Sequence, residues 1–323
     1  MSKKVLVTGC AGFIGYNLSI EMLNEGSTVY GIDNLNSAYS TRLKKARIDN
    51  LANKKSFSFI DLDLSNANDV NSLEKNFDTV IHLAARAGVR QSFLNPEIYI
   101  RDNTVATANI SNYVKNNGIG KLILASTSSI YGDSGTKKVS ENIDELESPP
   151  SVYAATKIAG ENISKTILKD SETVISIPRF FTVYGPSGRP DMSIFRFVRW
   201  IVENQPVVIY GDGYQSRSFT YVDDVVAGTV AAAARVGYEV LNLGSNTTTS
   251  LIEVVKIIEN ITGCKAEIEF REPLSADMRQ TLANVNKADQ LLGWTPTVEM
   301  KQGIEKVVNW YIANRDWASQ LTL

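Results

Sequence analysis

"VLVTGCAGFIG", Val5–Gly15, decides how the rest of the chain is read. Its apolar start extends a strand over Lys4–Thr8, and Gly9, Gly12 and Gly15 follow at once. They open a helical period over Phe13–Asn24 that puts Ile14, Leu18 and Met22 on one face. Glycines at a strand-to-helix turn let the backbone come close to a bound group, and the N–H groups of the first helical turn then meet a pyrophosphate. The spacing is GxxGxxG, a variant of the GxGxxG dinucleotide fingerprint. Taken alone, the triplet also fits a tight turn with no ligand.

Working outward, short Val/Ile-rich runs alternate with helical patterns. Strands are expected at Thr28–Ile32, Phe57–Ile60, Thr79–Leu83, Leu122–Ala125 and Thr173–Pro178, with helices at Thr104–Lys115 and Ala154–Lys169. This predicts a doubly wound, Rossmann-type α/β parallel sheet with both faces covered, binding its ligand at the strands' carboxyl ends. Further on, Val207–Tyr210, Asp223–Ala234 and Val240–Leu243 read as strand, helix and strand. Helices at Leu251–Ile261 and Val298–Tyr311 then surround a strand at Ala266–Phe270. The expected organisation is a nucleotide domain over 1–178, return segments within 206–244, and a smaller, partly interleaved substrate lobe over 179–323.

The second strand ends at Asp33-Asn34. A carboxylate there accepts from the adenosine ribose and repels a 2′-phosphate, which favours NAD over NADP. Asp63, beside Leu64, either reads the adenine or caps a turn at Ser65. Leu83, Ala84 and Ala85 are small or apolar enough to wall the cofactor, and Phe13 and Ile14 face it from the first turn. Asn103 caps a helix or secures the turn beneath them. His82 ends its strand as an imidazole held by backbone groups rather than as a catalyst.

Bulk composition narrows the function. The chain has 323 residues, 43% hydrophobic, with 33 basic against 35 acidic residues. A formal charge of −2 gives no electrostatic case for nucleic acid or an anionic membrane. One histidine and two cysteines, Cys10 and Cys264, suit neither a metal cluster nor a disulfide framework. No metal is expected. No stretch is apolar for long enough to span a bilayer, and Lys3-Lys4 before Val5 only imitates a signal peptide. The expectation is a cytoplasmic protein.

Chemistry is expected near "STSSIYG" (Ser126–Gly132) and "SVYAATKIAG" (Ser151–Gly160). Tyr153 and Lys157 stand four apart on one helix face. A phenol of ordinary pKa ~10 is a poor base at neutral pH, and an adjacent ammonium is expected to bring it into working range. With the glycine turn and Asp33, these motifs resemble the extended short-chain dehydrogenase/reductase family, in its nucleotide-sugar branch. The resemblance covers essentially the whole chain, including "SRSFTYVDDVVAG" (Ser216–Gly228). It implies a catalytic triad of Thr127, Tyr153 and Lys157 working with NAD on a UDP-sugar.

Dehydratases and decarboxylases of that branch carry an acid just after the threonine, where this chain has Ser128 and Ser129. Inversion at carbon 4 is therefore the expected reaction. "RFFTVYGPSGRPDM" (Arg179–Met192) resembles the same segment of UDP-glucuronate 4-epimerases. Thr182 replaces the asparagine of neutral-sugar relatives, so that Thr182, Ser128, Ser129 and Arg189 are expected to receive a carboxylate. Arg217 matches the family's pyrophosphate arginine and Asp277 its ribose ligand. Leu274 departs from the arginine of galactose epimerases, with Arg279 as a substitute. Arg86 and Arg90 line the loop after the fourth strand, as ligand contacts or as surface charges. The resemblance also implies a homodimer built on the helices at Thr104–Lys115 and Ala154–Lys169. Neutral-sugar epimerisation, decarboxylation or dehydration, and non-catalytic NAD binding stay open.

Overall fold

A computed structural model describes residues 2–143, 148–234, 237–273 and 278–322. Seven strands form the backbone of its main sheet: β1 Lys4–Thr8, β2 Thr28–Asp33, β3 Phe57–Asp61, β4 Thr79–His82, β5 Lys121–Leu124, β6 Val174–Phe180 and β7 Glu239–Leu243. Their order is β7-β6-β5-β4-β1-β2-β3, and every pairing is parallel. The Rossmann-type α/β fold is therefore present. The order reverses between β1 and β4, the switch point where such sheets hold ligands.

Alternation along β1 shows how both faces are filled. Val5 and Val7 join one buried cluster with Phe13 and Leu18 of α1 (Phe13–Asn24). Leu6 joins the other, with Ile110 and Tyr113. Next in chain order come α2 (Thr41–Ala52), α3 (Ala106–Asn116), α4 (Val152–Ile167) and α5 (Val222–Ala233). Instead of starting directly at Thr104, the helix around α3 begins with a π-helical stretch, Ile100–Val105. The Ser151 hydroxyl accepts from Ala154 N at 3.1 Å and caps α4, which places Tyr153 in its first turn.

After β6 the chain leaves the sheet. Thr182–Tyr184 pairs with Phe219–Tyr221, and Val207–Tyr210 pairs with Ile268–Arg271. The segments that return to the main sheet are α5 and β7, after which the chain departs again into Leu251–Thr262 and Met300–Ala313. A two-residue strand, Ser126–Thr127, pairs with the end of β6. No helix among the described residues is long and apolar enough to cross a membrane.

Candidate active site

The glycine turn is fixed by its own backbone. Gly9 has φ +73°, and its N–H donates to Ile32 O at 2.7 Å. A Cβ on Gly9 would lie 2.8 Å from Ala84 N, and one on Gly15 would lie 2.1 Å from Gly9 O. The helix must pass so close to the turn that only glycine fits. Gly12 precedes α1 without a side-chain cap, and the first turn carries no acid. Its N–H groups suit an anion.

From this turn a cavity of about 110 Å³ runs along the end of β2, lined by Asp33, Asn34, Asp63, Leu64, Leu83, Ala84 and Ala85. Asp33 Oδ1 accepts from Leu35 N at 2.9 Å, and Lys44 Nζ lies 3.8 Å away. Burial lowers the Lys44 pKa while Asp33 opposes the shift. Asp63 Oδ1 accepts from Ser65 N and Oγ at 2.9 and 2.8 Å. Burial pushes its pKa up, but the bonds from Ser65 and Asn34 outweigh it and leave the carboxyl below its usual value. A nucleoside diphosphate fits this donor set: an uncapped helix start for phosphates, a carboxylate for ribose hydroxyls, and alanines where a Cβ-only wall leaves room.

A second cavity of about 360 Å³ shares Gly9, Gly12, Leu83 and Ala85 with the first. Phe13, Ile14, Thr127, Ser128, Ser129, Tyr153, Lys157, Thr182, Arg189 and Asp191 complete the part that bears chemistry. The run of hydroxyls has a division of labour. Ser126 Oγ donates to Glu161, behind the wall. Thr127 Oγ1 accepts from Ser129 N at 3.1 Å and so starts the 3₁₀ turn Ser128–Tyr131.

Burial raises the pKa of the Tyr153 phenol, with Thr127 and the Arg189 charge pulling the other way. Lys157 is lowered to about 8, by burial first and against the charge of Glu161. Lys157 was expected to bring the tyrosine into range, and burial, Thr127 and Arg189 act on the phenol as well. In the ligand-free chain desolvation wins, and Thr127 and Arg189 supply the opposing pull.

Four other residues are engaged within the protein. Asn103 lies outside the lining of both cavities, because its amide is committed: Oδ1 accepts from Arg86 N at 2.7 Å, and Nδ2 donates to Arg86 O and Thr156 Oγ1. It fastens the turn after β4, one of the two roles expected of it. His82 is held by hydroxyls, not backbone, with Nδ1 2.7 Å from Thr8 Oγ1 and Nε2 3.1 Å from Thr107 Oγ1. Thr8 Oγ1 also accepts from Ala84 N, which links the imidazole to the turn after β4. Burial lowers this histidine to about 3. Arg189 reaches the cavity with its fork already engaged by Asp191, Nε–Oδ1 at 3.0 Å and Nη2–Oδ2 at 2.6 Å. Arg217 lies outside the lining of both cavities, its Nη1 2.9 Å from Ser216 O.

Arg90 sits over the Tyr210 ring at 5.3 Å, beside a third cavity that Arg279 also lines. Asp277 and Leu274 lie outside the described residues. The sequence reading missed Tyr39, Lys44, Arg47 and Asp191. Arg47 is buried and donates to Ala11 O at 2.8 Å, to Tyr39 OH at 2.7 Å and to Ser187 O, so it ties the glycine turn to the Arg189 loop.

Residues 5–244 match the family model described as NAD dependent epimerase/dehydratase family. The chain belongs to that family. This family member is 43% identical to UDP-glucuronate 4-epimerase of Thermodesulfobacterium geofontis, over 94% of this chain and 95% of the relative. Its fold matches the crystal structure of UDP-glucuronic acid 4-epimerase from Bacillus cereus in complex with UDP-glucuronic acid and NAD. The TM-score there is 0.90 at 37% identity, covering 96% and 99% of the two chains. It also matches UDP-glucose 4-epimerase from Thermotoga maritima at a TM-score of 0.88 and 27% identity, over 97% and 99%.

Proposed function

We propose that this chain is an NAD-dependent UDP-glucuronate 4-epimerase, interconverting UDP-glucuronate and UDP-galacturonate through a 4-keto sugar. The observation that carries the reading is one cavity that joins Thr127, Tyr153 and Lys157 to the hydroxyls of Ser128, Ser129 and Thr182. Bound NAD supplies the acceptor, and then the donor, of the C4 hydride. Gly9, Gly12 and the α1 N-terminus hold its pyrophosphate, Asp33 and Asn34 its adenosine ribose, and Leu83, Ala84 and Ala85 its flank.

Tyr153 takes the proton of the 4-hydroxyl through or beside Thr127 as the phenolate, which the Lys157 ammonium and the Arg189 charge favour against the desolvation that raises its pKa. After the keto sugar turns its other face, Tyr153 returns the proton to the same oxygen, so no net proton or electron is transferred. A 4-keto uronate is a β-keto acid, which loses CO₂ when the C5–carboxylate bond aligns with the carbonyl π system. Hydroxyl donors from Ser128, Ser129 and Thr182 hold the carboxylate out of that alignment. By the family resemblance, Arg217 and Arg90 are assigned to the phosphates and uridine and Asp277 to the nucleotide ribose.

A second reading, a neutral-sugar 4-epimerase, is favoured by the Arg189–Asp191 pair, which leaves a full guanidinium fork already satisfied. Incubation with UDP-glucuronate, and separately with UDP-glucose, followed by proton NMR tests both. Inversion of the uronate with little of the neutral sugar supports the proposal; the reverse selects the second reading, and CO₂ release rejects both. A cytoplasmic homodimer completes the proposal. Phe93, Leu94, Ile100 and Val105 are 53%, 72%, 50% and 40% exposed on the helical arm leading into α3. An apolar face of this kind fits a second copy of the chain.

A further inference from the structure

Behind the cavity wall lies a buried charge pair that the proposed chemistry does not use. Glu161 and Arg179 are 4% and 2% exposed, and Arg179 Nε and Nη2 donate to the two carboxylate oxygens at 2.9 and 2.7 Å. Desolvating two charges offsets most of their attraction, so stability alone does not account for the pair. Its other partners do.

Ser126 Oγ donates to Glu161 Oε1. In the sheet, Ser126 registers with Arg179 and Thr127 with Phe180, and the strand carrying Thr182 begins two residues further on. Arg179 Nη1 donates to Tyr131 OH at 3.0 Å and to Glu141 O at 2.7 Å, while Tyr131 donates to Asn242 Oδ1 on β7 at 2.6 Å. Glu161 itself stands one helical turn after Lys157 and two after Tyr153 on α4. Every segment that carries a proposed reacting group therefore meets at this pair.

We propose that Glu161 is a positioning residue, locking the Thr127 strand, the Tyr153–Lys157 helix and the β6 end into one register and setting a negative charge beneath the Lys157 ammonium. The groups around Lys157 define what else acts there. Tyr153 and Glu161 share its helix, His82 faces it from β4, and Arg179 and Tyr131 lie behind Glu161. Tyr99 packs on the Tyr153 ring, with centroids 6.4 Å apart, and Arg189 bears on the phenol. His82 is neutral near pH 7, which leaves Glu161 as the charge opposing the loss of the Lys157 proton.

The inference rests on the roles proposed for Tyr153 and Lys157. Its test is the pH dependence of kcat with UDP-glucuronate in the wild type, Glu161→Gln and Glu161→Gln/Arg179→Met. The alkaline limb moves to lower pH by roughly one unit in the single variant, the scale of one lost charge at this range, and by less in the double. Because Glu161→Gln strands a buried guanidinium, the double variant decides the matter if the single one does not fold. Ser126→Ala tests the register separately: kcat falls several-fold while KM and the limb stay in place. An unmoved limb in the folded charge variants overturns the electrostatic half, and wild-type kcat in Ser126→Ala overturns the register half. Tyr153→Phe, measured alongside, separates the claims. Activity that survives it removes the Tyr153 assignment, whereas an inactive Tyr153→Phe with an unmoved limb removes only the role of Glu161.

Discussion

The glycine turn and the loop from Gly185 to Met192 wall the same cavity but are held in different ways. The turn is built from backbone: Gly9 N and Cys10 N both donate to Ile32 O, and Gly12 N to Gly9 O. The loop is held by side chains from far away. Arg47, 140 positions earlier, bonds Ser187, whose φ of +58° is unusual for a residue with a Cβ. Arg189 then leans on Asp191 and on the Tyr39 ring at 5.6 Å. Steric necessity fixes the cofactor end, while replaceable contacts tune the sugar end. Mutations should follow that division.

The largest effect is expected where the two regions meet. Tyr153→Phe should lower kcat by about 10²–10⁴-fold, the usual worth of a general base, and leave cofactor content intact. Loss of NAD from the purified variant would show that the phenol belongs to the binding half. Acid stability comes next and probes the rigid half. An unfolded histidine titrates near 6.5, whereas His82 in the fold titrates at about 3. Between these values the unfolded chain binds a proton that the folded chain does not. Stability is complete above pH 6.5 and falls as pH drops toward 3, at up to about 1.4 kcal/mol per unit. Urea midpoints across pH 7 to 4 read this slope, and His82→Asn should flatten it.

Gly15→Ala forces a Cβ to 2.1 Å from Gly9 O. It should cost about 1–3 kcal/mol through overpacking, together with retained NAD. A variant that keeps both would show that the turn has slack. Arg47→Met should instead spare NAD content and raise KM for the UDP-sugar several-fold, with a stability loss of about 1–3 kcal/mol from stranded carbonyls. A loss of cofactor equal to the loss of affinity would erase the distinction between the two regions. Smallest, Asp191→Asn frees the Arg189 fork, so KM for UDP-glucuronate should fall a few-fold while that for UDP-glucose stays. An equal change on both substrates would remove Arg189 from carboxylate recognition.

The same division governs what the sequence reveals. Strands β1 to β5 and α1 announce themselves because a two-faced parallel sheet needs continuous apolar runs and a close turn needs glycine. Helix α2 stayed unread for a physical reason. Its buried face is Leu43, Lys44, Arg47, Ile48 and Leu51, so two of five inward positions are cations and the helical period of hydrophobicity is lost. Lys44 lines the first cavity, and Arg47 braces the glycine turn and the Ser187 segment beside it. The Ser193–Val202 helix differs, since Ser193, Arg196 and Arg199 keep a polar stripe opposite the buried Ile194, Phe195, Phe197, Val198, Trp200 and Ile201, so its helical period is present in the sequence although it was not read there. Thr127, Tyr153 and Lys157 were legible as motif and spacing. The pairing of Arg189 with Asp191 was not, because two neighbouring charges give no hint of whether they bind each other or a ligand.

The departure and return of the chain around β6 has a practical consequence for dissecting the molecule. A fragment stopped at Pro178 would be shorn of α5 and β7, and β6 would become a bare margin offering unsatisfied amides and carbonyls to any passing strand. The main sheet is finished only by residues that come after the departure, so a cut at that point leaves it without its last strand.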